Sequence, residues 1–338
     1  MRAAVYHPPD KILLEERPQP QIDQDEILLK VRACGICGTD VLKVNRALPK
    51  GPIVLGHEVV GEAVAVGKAV TKFKVGDRIV VAHHVPCGSC HYCRHGNHSM
   101  CHHFKKTNLD PGGFSEYLRI PGEHVEQTAF LVPESISDDV ALFTEPLSCC
   151  IRNIRRSHLL AGDTVVIVGM GSIGLMTLQL LKRIPVQVLA TDLKDDRLEL
   201  AKTLGADEVL RGNDPGLPNK IQEMTEGRGA DLVILTAGGP KVYESSFRWI
   251  RDGGALNLFA SLSEEPIATP IETIFHHEVT VFSSYSPSPE DLVEAHRLLL
   301  GGEIQVEPLI THHLDLGELN QGIELINRQE ALKVVIRP

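Results

Sequence analysis

The sequence has no excess of positive charge, and this limits the partners it is suited to bind. Lysine and arginine number 34 against 44 aspartate and glutamate residues, so the formal net charge at pH 7 is −10. A nucleic-acid surface or a polybasic membrane patch would require clustered positive charge. We therefore expect neither nucleic acid nor a membrane among the partners.

A targeting segment and a long apolar run are also lacking. The opening residues, MRAAVYHPPD, have no charged region followed by an apolar stretch, so no signal peptide is expected. The most apolar segment is VVIVGMGSIGLMTLQLL at 165–181, which is slightly short for a membrane span and contains glycines and a glutamine. We interpret it as a buried strand that runs into a helix.

The cysteines are concentrated rather than spread along the chain. Of the eight, Cys87, Cys90, Cys93 and Cys101 lie in one short window. Such crowding is typical of metal binding in a reducing compartment rather than of a disulfide framework. The expectation is a cytoplasmic protein.

The pattern of apolar segments changes near residue 145. A length of 338 residues is also typical of two domains. Before that point, short apolar runs such as ILLKVRA and DRIVVAHH are bounded by turn residues, which predicts an all-β region. After it, strand-like segments (TVVIVGM, VQVLATD, DEVLRG, ADLVILTAG, GALNLFAS and EVTVFSSYS) alternate mainly with helix-like ones (SIGLMTLQLLKR, DRLELAKTL, PNKIQEMTE and KVYESSFRWI). The alternation predicts an α/β domain whose parallel sheet is covered on both faces. A further helix, PEDLVEAHRLLLGG, leads into a tail expected to pack onto the first domain.

A glycine motif opens the first of these helices. Gly169, Gly171 and Gly174 form G-x-G-x-x-G directly after an apolar strand, with Ser172 and Ile173 inside the motif. Such a turn allows the pyrophosphate of a dinucleotide to approach the free N–H groups of the helix start. The alternative is a glycine-rich turn in another α/β fold.

An acidic residue follows the motif at the spacing that dinucleotide binding requires. Asp192 stands 18 residues after Gly174, after the second strand, where it is placed to bind an adenosine ribose. A carboxylate there favours NAD over NADP, because a 2′-phosphate would meet a like charge. The nearby basic residues Lys194 and Arg197 would soften that preference.

The four clustered cysteines can supply all the ligands of one metal ion. A tetrahedral Zn²⁺ ion held by Cys87, Cys90, Cys93 and Cys101 has no open position for water or substrate, so this site is predicted to be structural. Two alternatives are an iron–sulfur cluster and a nucleic-acid-binding zinc ribbon, which the acidic composition disfavours. A histidine could also replace one cysteine; those interspersed in the segment are His91, His95, His98, His102 and His103.

A second, dispersed set of residues matches a catalytic zinc site, which takes about three protein ligands and an open fourth position. Cys37, His57 and either Glu58 or Glu145 supply that mixture from separated segments. Cys34 and Cys37 could instead form a redox C-x-x-C pair, although a thioredoxin-type βαβ context is lacking. We interpret the adjacent cysteines 149 and 150 as small buried apolar residues.

The motifs together resemble a known family. CGICGTD, GHEVVGEAVAVG, VGDRIVV, the four-cysteine segment, GGFSEY, EPLS and VGMGSIG stand in the order typical of zinc-dependent medium-chain dehydrogenases, sorbitol dehydrogenase-like branch. The resemblance covers essentially the whole chain. It implies a GroES-like β catalytic domain at 1–148 and 287–338, with a zinc lobe at 86–102, and a Rossmann NAD domain at 149–286.

The resemblance also implies roles for single residues. It assigns the catalytic zinc to Cys37 rather than Cys34 and to His57, with Glu58 and Glu145 as ligands or near-ligands that exchange with each other. A glutamate at the E-P-L position indicates polyols rather than ethanol-type substrates.

The same resemblance implies a zinc- and NAD-dependent hydride transfer from a secondary hydroxyl. Zinc lowers the pKa of that hydroxyl and Thr39 passes its proton outward. Many relatives carry a histidine three residues after this position, where this chain has Leu42. The proton must leave by another path, through water, Lys43 or a histidine such as His83 or His84. Asp40 is interpreted as structural.

Three hypotheses on function remain open at this stage. The first is an NAD-dependent dehydrogenase of a polyol, cyclitol or sugar derivative, and the second is a threonine-type or sugar-phosphate dehydrogenase. The third is a non-catalytic nucleotide- or zinc-binding protein. The resemblance further implies a homo-oligomer, a dimer or a tetramer.

Overall fold

The structure is a computed structural model that describes residues 1–9, 11–48 and 50–338. In chain order its strands are β1 (Arg2–His7), β2 (Lys11–Glu16), β3 (Ile27–Gly35), β4 (Ile53–Val54), β5 (Glu58–Val66), β6 (Arg78–Val81), β7 (Tyr117–Ile120), β8 (Ala129–Leu131), β9 (Thr164–Val168), β10 (Gln187–Asp192), β11 (Glu208–Arg211), β12 (Ala230–Leu235), β13 (Ile250–Leu258), β14 (Thr280–Ser283), β15 (Ile310–Asp315) and β16 (Lys333–Arg337).

The helices are α1 (Gly38–Asn45), α2 (His91–Arg94), α3 (Gly122–Gln127), α4 (Asp138–Ala141), α5 (Thr144–Arg155), α6 (Ser172–Leu181), α7 (Asp195–Thr203), α8 (Leu217–Met224), α9 (Pro240–Ser246), α10 (Ile271–His276), α11 (Pro289–Leu300) and α12 (Leu319–Asn327). Short 3₁₀ turns run over His98–Met100, Glu307–Leu309 and Leu316–Glu318. The chain divides into two compact units, a first one of Met1–Ser148 with Pro287–Pro338, and a second one of Cys149–Ser286.

The first unit is built on β-sheets. One sheet has the order β2-β1-β4, and a larger one has the order β15-β16-β3-β5-β6-β8, with β7 also paired to β3. Side chains alternate along β3, so Ile27, Leu29 and Val31 enter the core together with Val59 and Ala63 of β5. The C-terminal strand β16 lies antiparallel to β3, which brings the end of the chain beside the CGICGTD segment.

The second unit is an α/β layer structure. Its strands pair only in parallel, in the order β11-β10-β9-β12-β13-β14, and helices such as α6 and α7 connect successive strands. This is a doubly wound sheet whose order reverses at β9, the strand that precedes the glycine motif. The parallel α/β sheet that the sequence predicts is confirmed.

One boundary differs from the prediction. The segment KVYESSFRWI was expected to be helical throughout, but α9 ends at Ser246 and Ile250 already belongs to β13. Phe247 and Trp249 turn into the apolar core, and Ile250 pairs with Ala230 of β12. Burial of these side chains overrides the local helical pattern. Over the described ranges, no helix has the length and apolar character needed to cross a membrane.

Candidate active site

The CGICGTD segment forms a loop that opens directly into α1. Cys37 is the N-cap, and its sulfur accepts a hydrogen bond from the Thr39 backbone N–H at 3.4 Å. Asp40 completes a capping box, because its carboxylate accepts from the Cys37 backbone N–H at 3.2 Å. This cap explains why a helix begins within a region of β texture, and it fixes the sulfur at the helix start.

Three candidate ligands come together around that sulfur. The ligand atoms of Cys37, His57 and Glu58 lie within 4.8 Å of one another, and His57 and Glu58 are buried. Glu58 begins β5, which pairs with β3 just before the Cys37 loop. Sulfur, nitrogen and oxygen donors in this number suit a zinc site with a fourth position left for a substrate, so the residues fit the metal.

Asp40 also contacts the histidine of this group. Its Oδ1 lies 3.4 Å from Nδ1 of His57, and the carboxylate is fully buried. A carboxylate on one ring nitrogen orients the other nitrogen toward a metal. Sequence reasoning assigned Asp40 only a structural role in the loop; its contact with His57 gives it a second task.

The charges of this group favour a cation. Burial lowers the pKa of His57, but Asp40 and Cys37 raise it more strongly, and it lies well above the ordinary value. Burial raises the pKa of Asp40, and His57 more than offsets this, so the pKa falls below its usual range. A metal ion would meet the same negative surroundings that hold a proton on the ring.

Lys333 is a residue of this site that sequence reasoning missed. Its ammonium lies 2.8 Å from Oε1 and 2.6 Å from Oε2 of Glu58, and both side chains are almost fully buried. Burial lowers the pKa of Lys333, but the Glu58 charge reverses this, so the pKa stands above its ordinary value. The one sequence signal was a lysine that opens the apolar strand KVVIRP, and its partner lies 275 residues away.

Gly35 makes room for the Glu58 carboxylate. A Cβ built on Gly35 would lie 2.1 Å from Oε2 of Glu58, far inside contact distance. The carboxylate therefore approaches the backbone of β3 where only glycine allows it.

The other predicted residues lie around this group in different ways. Glu145, on α5, is buried and its charge contributes to the raised pKa of Lys333. Its carboxylate is not among the ligand atoms of the described residues that lie within 4.8 Å of one another, which are those of Cys37, His57 and Glu58. Thr39 is half-buried on α1, and within the described residues its hydroxyl has no hydrogen bond. Leu42 lies one turn further along the same helix.

The four-cysteine segment forms its own small lobe with α2. The sulfurs of Cys87, Cys90, Cys93 and Cys101 lie within 4.8 Å of one another, with separations of 3.6 Å for Cys90–Cys93 and for Cys87–Cys101. Zn–S bonds of about 2.3 Å in a tetrahedron place the sulfurs about 3.8 Å apart, so the lobe fits a closed zinc shell.

The pKa values of two cysteines in the lobe are shifted in opposite directions. Hydrogen bonds from the backbone N–H groups of Ser89 and Cys90 stabilise the Cys87 thiolate and lower its pKa to about 6. Burial, followed by the Cys90 thiol, raises the pKa of Cys93 to about 12. A metal must therefore displace a proton at Cys93, which makes binding pH-dependent.

The glycine motif adopts the geometry of a phosphate-binding turn. Gly169 has φ +98°, a conformation suited to glycine, and a Cβ on Gly174 would lie 1.9 Å from the Gly169 carbonyl oxygen. A Cβ on Gly171 would meet no protein atom within 4 Å. Backbone conformation therefore explains Gly169, and close packing explains Gly174. Gly171 instead leaves an open space, the cradle, at the start of α6, and Ser172 and Ile173 lie in the first turn of that helix.

Asp192 ends β10 beside this turn. Its Oδ2 accepts from the Met170 N–H at 2.6 Å, and its Oδ1 accepts from Leu193 and Lys194 N–H groups. Arg197 lies 3.9 Å from Oδ2. The carboxylate has further lone pairs for a ribose, and the turn residues fit a dinucleotide.

Comparison with known proteins agrees with this geometry. Residues 23–130 match the family described as alcohol dehydrogenase GroES-like domain, and residues 172–301 match the one described as zinc-binding dehydrogenase. The chain is 33% identical to the sorbitol dehydrogenase of Bacillus subtilis (strain 168), over 100% of this chain and 97% of that protein. It is 32% identical to the D-arabitol-phosphate dehydrogenase of Enterococcus avium, over 97% and 94%.

A solved structure agrees as well. An alcohol dehydrogenase from E. coli CFT073, in complex with NADH, matches with a TM-score of 0.87 and 29% identity, over 100% of this chain and 99% of that one.

Fold and site together define a metal-dependent alcohol dehydrogenase. The chain belongs to the zinc-dependent medium-chain dehydrogenase family, in its sorbitol dehydrogenase-like branch. The predicted GroES-like and Rossmann folds, and the predicted zinc- and NAD(P)-dependent activity on an alcohol, are confirmed at the level of this family.

Proposed function

We propose that the chain oxidises a secondary hydroxyl of a polyol, cyclitol or sugar derivative, with Cys37, His57 and Glu58 as the ligands of a catalytic zinc ion. The observation that carries this proposal is the meeting of three different donor types within 4.8 Å. Glu145 is the candidate replacement for Glu58, since its charge acts on the same lysine.

Each residue of the site has its own proposed role in the reaction. When bound, zinc acts as a Lewis acid that makes the hydroxyl more acidic, and the nicotinamide takes the hydride. Thr39 accepts a hydrogen bond from the substrate hydroxyl and moves its proton outward, for which its unbonded hydroxyl is suited. Asp40 orients His57, and Lys333 balances the charge of the Glu58 carboxylate.

The four-cysteine lobe is proposed to hold a second, structural zinc ion. Its four sulfurs complete the tetrahedron, so no position remains for a substrate.

NAD is the proposed nucleotide, in preference to NADP. The pyrophosphate would occupy the cradle at Gly171, and Asp192 would accept hydrogen bonds from the ribose. A 2′-phosphate would meet the Asp192 carboxylate, although Arg197 close by reduces the penalty. The preference rests on this carboxylate alone, because relatives of similar identity have been solved with NADH and with NADP.

The polyol assignment has one competitor that the site itself favours. The charge of Lys43 acts on Asp40, His83 and His84, and Lys43 is a candidate partner for a phosphate. The sugar-phosphate relative has nearly the same identity as the sorbitol one. A sugar-phosphate dehydrogenase is therefore the second candidate.

The cellular setting is also a proposal. The eight cysteines are free thiols, and four of them are committed to a metal-like cluster, which suits the reducing cytoplasm. By resemblance to its family we propose a homo-oligomer.

A substrate panel tests the proposed function. Reduction of NAD⁺ by the zinc-loaded protein would be followed with polyols, inositols, aminocyclitols, sugar phosphates and L-threonine. The proposal expects the highest kcat/KM for an uncharged polyol or cyclitol. A preference for the phosphates would favour the second candidate, and a protein inactive toward the whole panel would contradict both.

A further inference from the structure

Histidines are crowded on the four-cysteine lobe, and the cluster of sulfurs does not use them. The ligand atoms that come together in the lobe are its four sulfurs, and no histidine of the described residues joins them. Two of the interspersed histidines, His91 and His95, are exposed on the surface of the lobe. Their imidazoles can therefore meet an ion from solution.

His91 and His95 stand one helical turn apart on α2. His91 is the first residue of this helix and His95 is its C-cap, and the His95 backbone N–H donates to the His91 carbonyl oxygen at 3.2 Å. Residues four positions apart lie on the same face of a helix. The centroids of the two rings are accordingly only 4.1 Å apart, and the ring planes are inclined by 35°.

The backbone fixes the tautomer of the neutral His95 ring. Its Nδ1 lies 2.8 Å from the His91 carbonyl oxygen, and a carbonyl oxygen only accepts, so Nδ1 carries the hydrogen. Nε2 is then left with a lone pair, which is the arrangement that metal-binding histidines adopt. Over residues 1–9, 11–48 and 50–338, no hydrogen bond or ion pair reaches either ring nitrogen of His91.

The spacing of the two rings fits a shared ion. Zn–N bonds of about 2.0–2.1 Å place two nitrogens on one ion about 3 Å apart. Exposed rings with centroids 4.1 Å apart reach that separation after a small rotation. Neutral imidazole suits Zn²⁺, Ni²⁺ and Cu²⁺, whereas Mg²⁺ and Ca²⁺ require oxygen ligands. The ligand class is therefore a divalent transition-metal ion, with water in its remaining positions.

The charge of the lobe favours a cation at this position. Arg94, also on α2, places one positive charge nearby. Four thiolates around one divalent ion leave a larger negative charge just beneath the helix when the lobe holds zinc. The balance near His91 and His95 is then negative.

We infer that His91 and His95 form an exterior site for one divalent transition-metal ion, separate from the two proposed zinc sites. The inference goes beyond the proposed function and does not depend on it. An ion held by the first residue and the C-cap joins the two ends of α2, the helix that carries Cys93 and directly follows Cys90. Binding should therefore stabilise the lobe, because a ligand of the folded state raises the free energy of unfolding.

A titration with Ni²⁺ alone tests the site. With only two protein ligands it should be emptied by dialysis that leaves the two zinc sites filled, so the dialysed, zinc-loaded protein is titrated by calorimetry. We expect one Ni²⁺ ion per chain to bind the wild-type protein. Affinity should fall at least about tenfold in His91→Gln and in His95→Gln, because each variant keeps a single imidazole. His276→Gln, which removes an exposed imidazole from α10, is the matched control and should bind as the wild type does.

The thermal midpoint gives a second readout. Added Ni²⁺ should raise it in the wild-type protein and in His276→Gln, and should leave it almost unchanged in His91→Gln and His95→Gln. Zinc content, measured before and after the titration, should not change. A wild-type protein that binds no Ni²⁺, a loss of binding in only one of the two variants, or release of zinc in step with Ni²⁺ uptake would overturn the inference. Each of these results would leave the proposed function standing, since NAD⁺ reduction is assayed separately.

Discussion

Single residues decide how charge is distributed at the site. Cys37 and His57 stand in short motifs, and the family resemblance that these motifs carry selected them as candidate ligands. Lys333 could not be predicted in this way, because its role depends on a contact with Glu58 across 275 residues of sequence. A motif reports local chemistry, whereas an ion pair between β16 and β5 exists only after the sheet has formed.

Thr39 is the residue on which proton movement depends. Replacing it by alanine should lower turnover by orders of magnitude, because the hydroxyl that accepts the substrate proton is removed. Thr39→Ser is the matched control and should keep most of the activity. Zinc content should be the same in all three proteins, since the Cys37 sulfur contacts the backbone N–H of residue 39 rather than its side chain. Near-normal turnover in Thr39→Ala would remove this residue from the mechanism.

Asp192 should set the choice between nucleotides. Asp192→Ser removes a charged hydrogen-bond acceptor from the ribose, which should weaken NAD⁺ binding about 10- to 100-fold. The NADP⁺ to NAD⁺ ratio of kcat/KM should rise, because the like charge that faces a 2′-phosphate is gone. The control is Asp195→Ser, which alters an exposed pair with Arg211. An unchanged ratio in Asp192→Ser would contradict the assignment.

At the scale of elements, the site is assembled from pieces that are far apart in sequence. The Cys37 loop caps α1, β5 supplies Glu58 at its first residue, and β16 closes the group with Lys333. Apolar alternation predicted the strands that carry these residues. It did not predict the short helix α1 or the early end of α9, because a capping box and a buried tryptophan decide these boundaries.

The pairing of β16 with β3 holds the buried ion pair, so breaking it should be costly. Lys333→Met leaves the Glu58 carboxylate buried without its ammonium, and we expect the free energy of unfolding to fall by about 3–5 kcal/mol. Urea denaturation of protein depleted of chelatable zinc measures this. The double variant Lys333→Met/Glu58→Gln should recover part of the loss, since the uncompensated charge is gone. A cost below about 1 kcal/mol for Lys333→Met would show that the pair does not balance the site.

The four-cysteine lobe is predicted to stabilise the fold rather than to take part in catalysis. Cys90→Ala removes one of four sulfurs from the closed shell, so the thermal midpoint should fall and one zinc ion per chain should be lost before activity changes. Cys149→Ala, outside the lobe, is the control. A Cys90→Ala variant that kept its fold and both metals but lost turnover would show that the lobe takes part in catalysis, which would contradict its structural role.

At the scale of the whole molecule, the sequence was most informative. The change of texture near residue 145 and the order of the motifs predicted a β catalytic part and a parallel α/β part, and the family comparison confirms both folds. The surroundings of side chains such as His83 could not be predicted, because they depend on residues that are neighbours only in space. The His83 ring lies against His57, which is 26 residues earlier in the chain.

The central claim is that one zinc site is open and catalytic while the other is closed and structural. A stepwise titration of the purified protein with a chelator, with zinc content and NAD⁺ reduction measured on the same samples, tests it most directly. We predict two zinc ions per chain, loss of activity on removal of the first, and recovery when zinc is added back. A protein with one tightly held zinc ion and no alcohol-dependent reduction of NAD⁺, or one that stays active after the first zinc ion is removed, would contradict the claim.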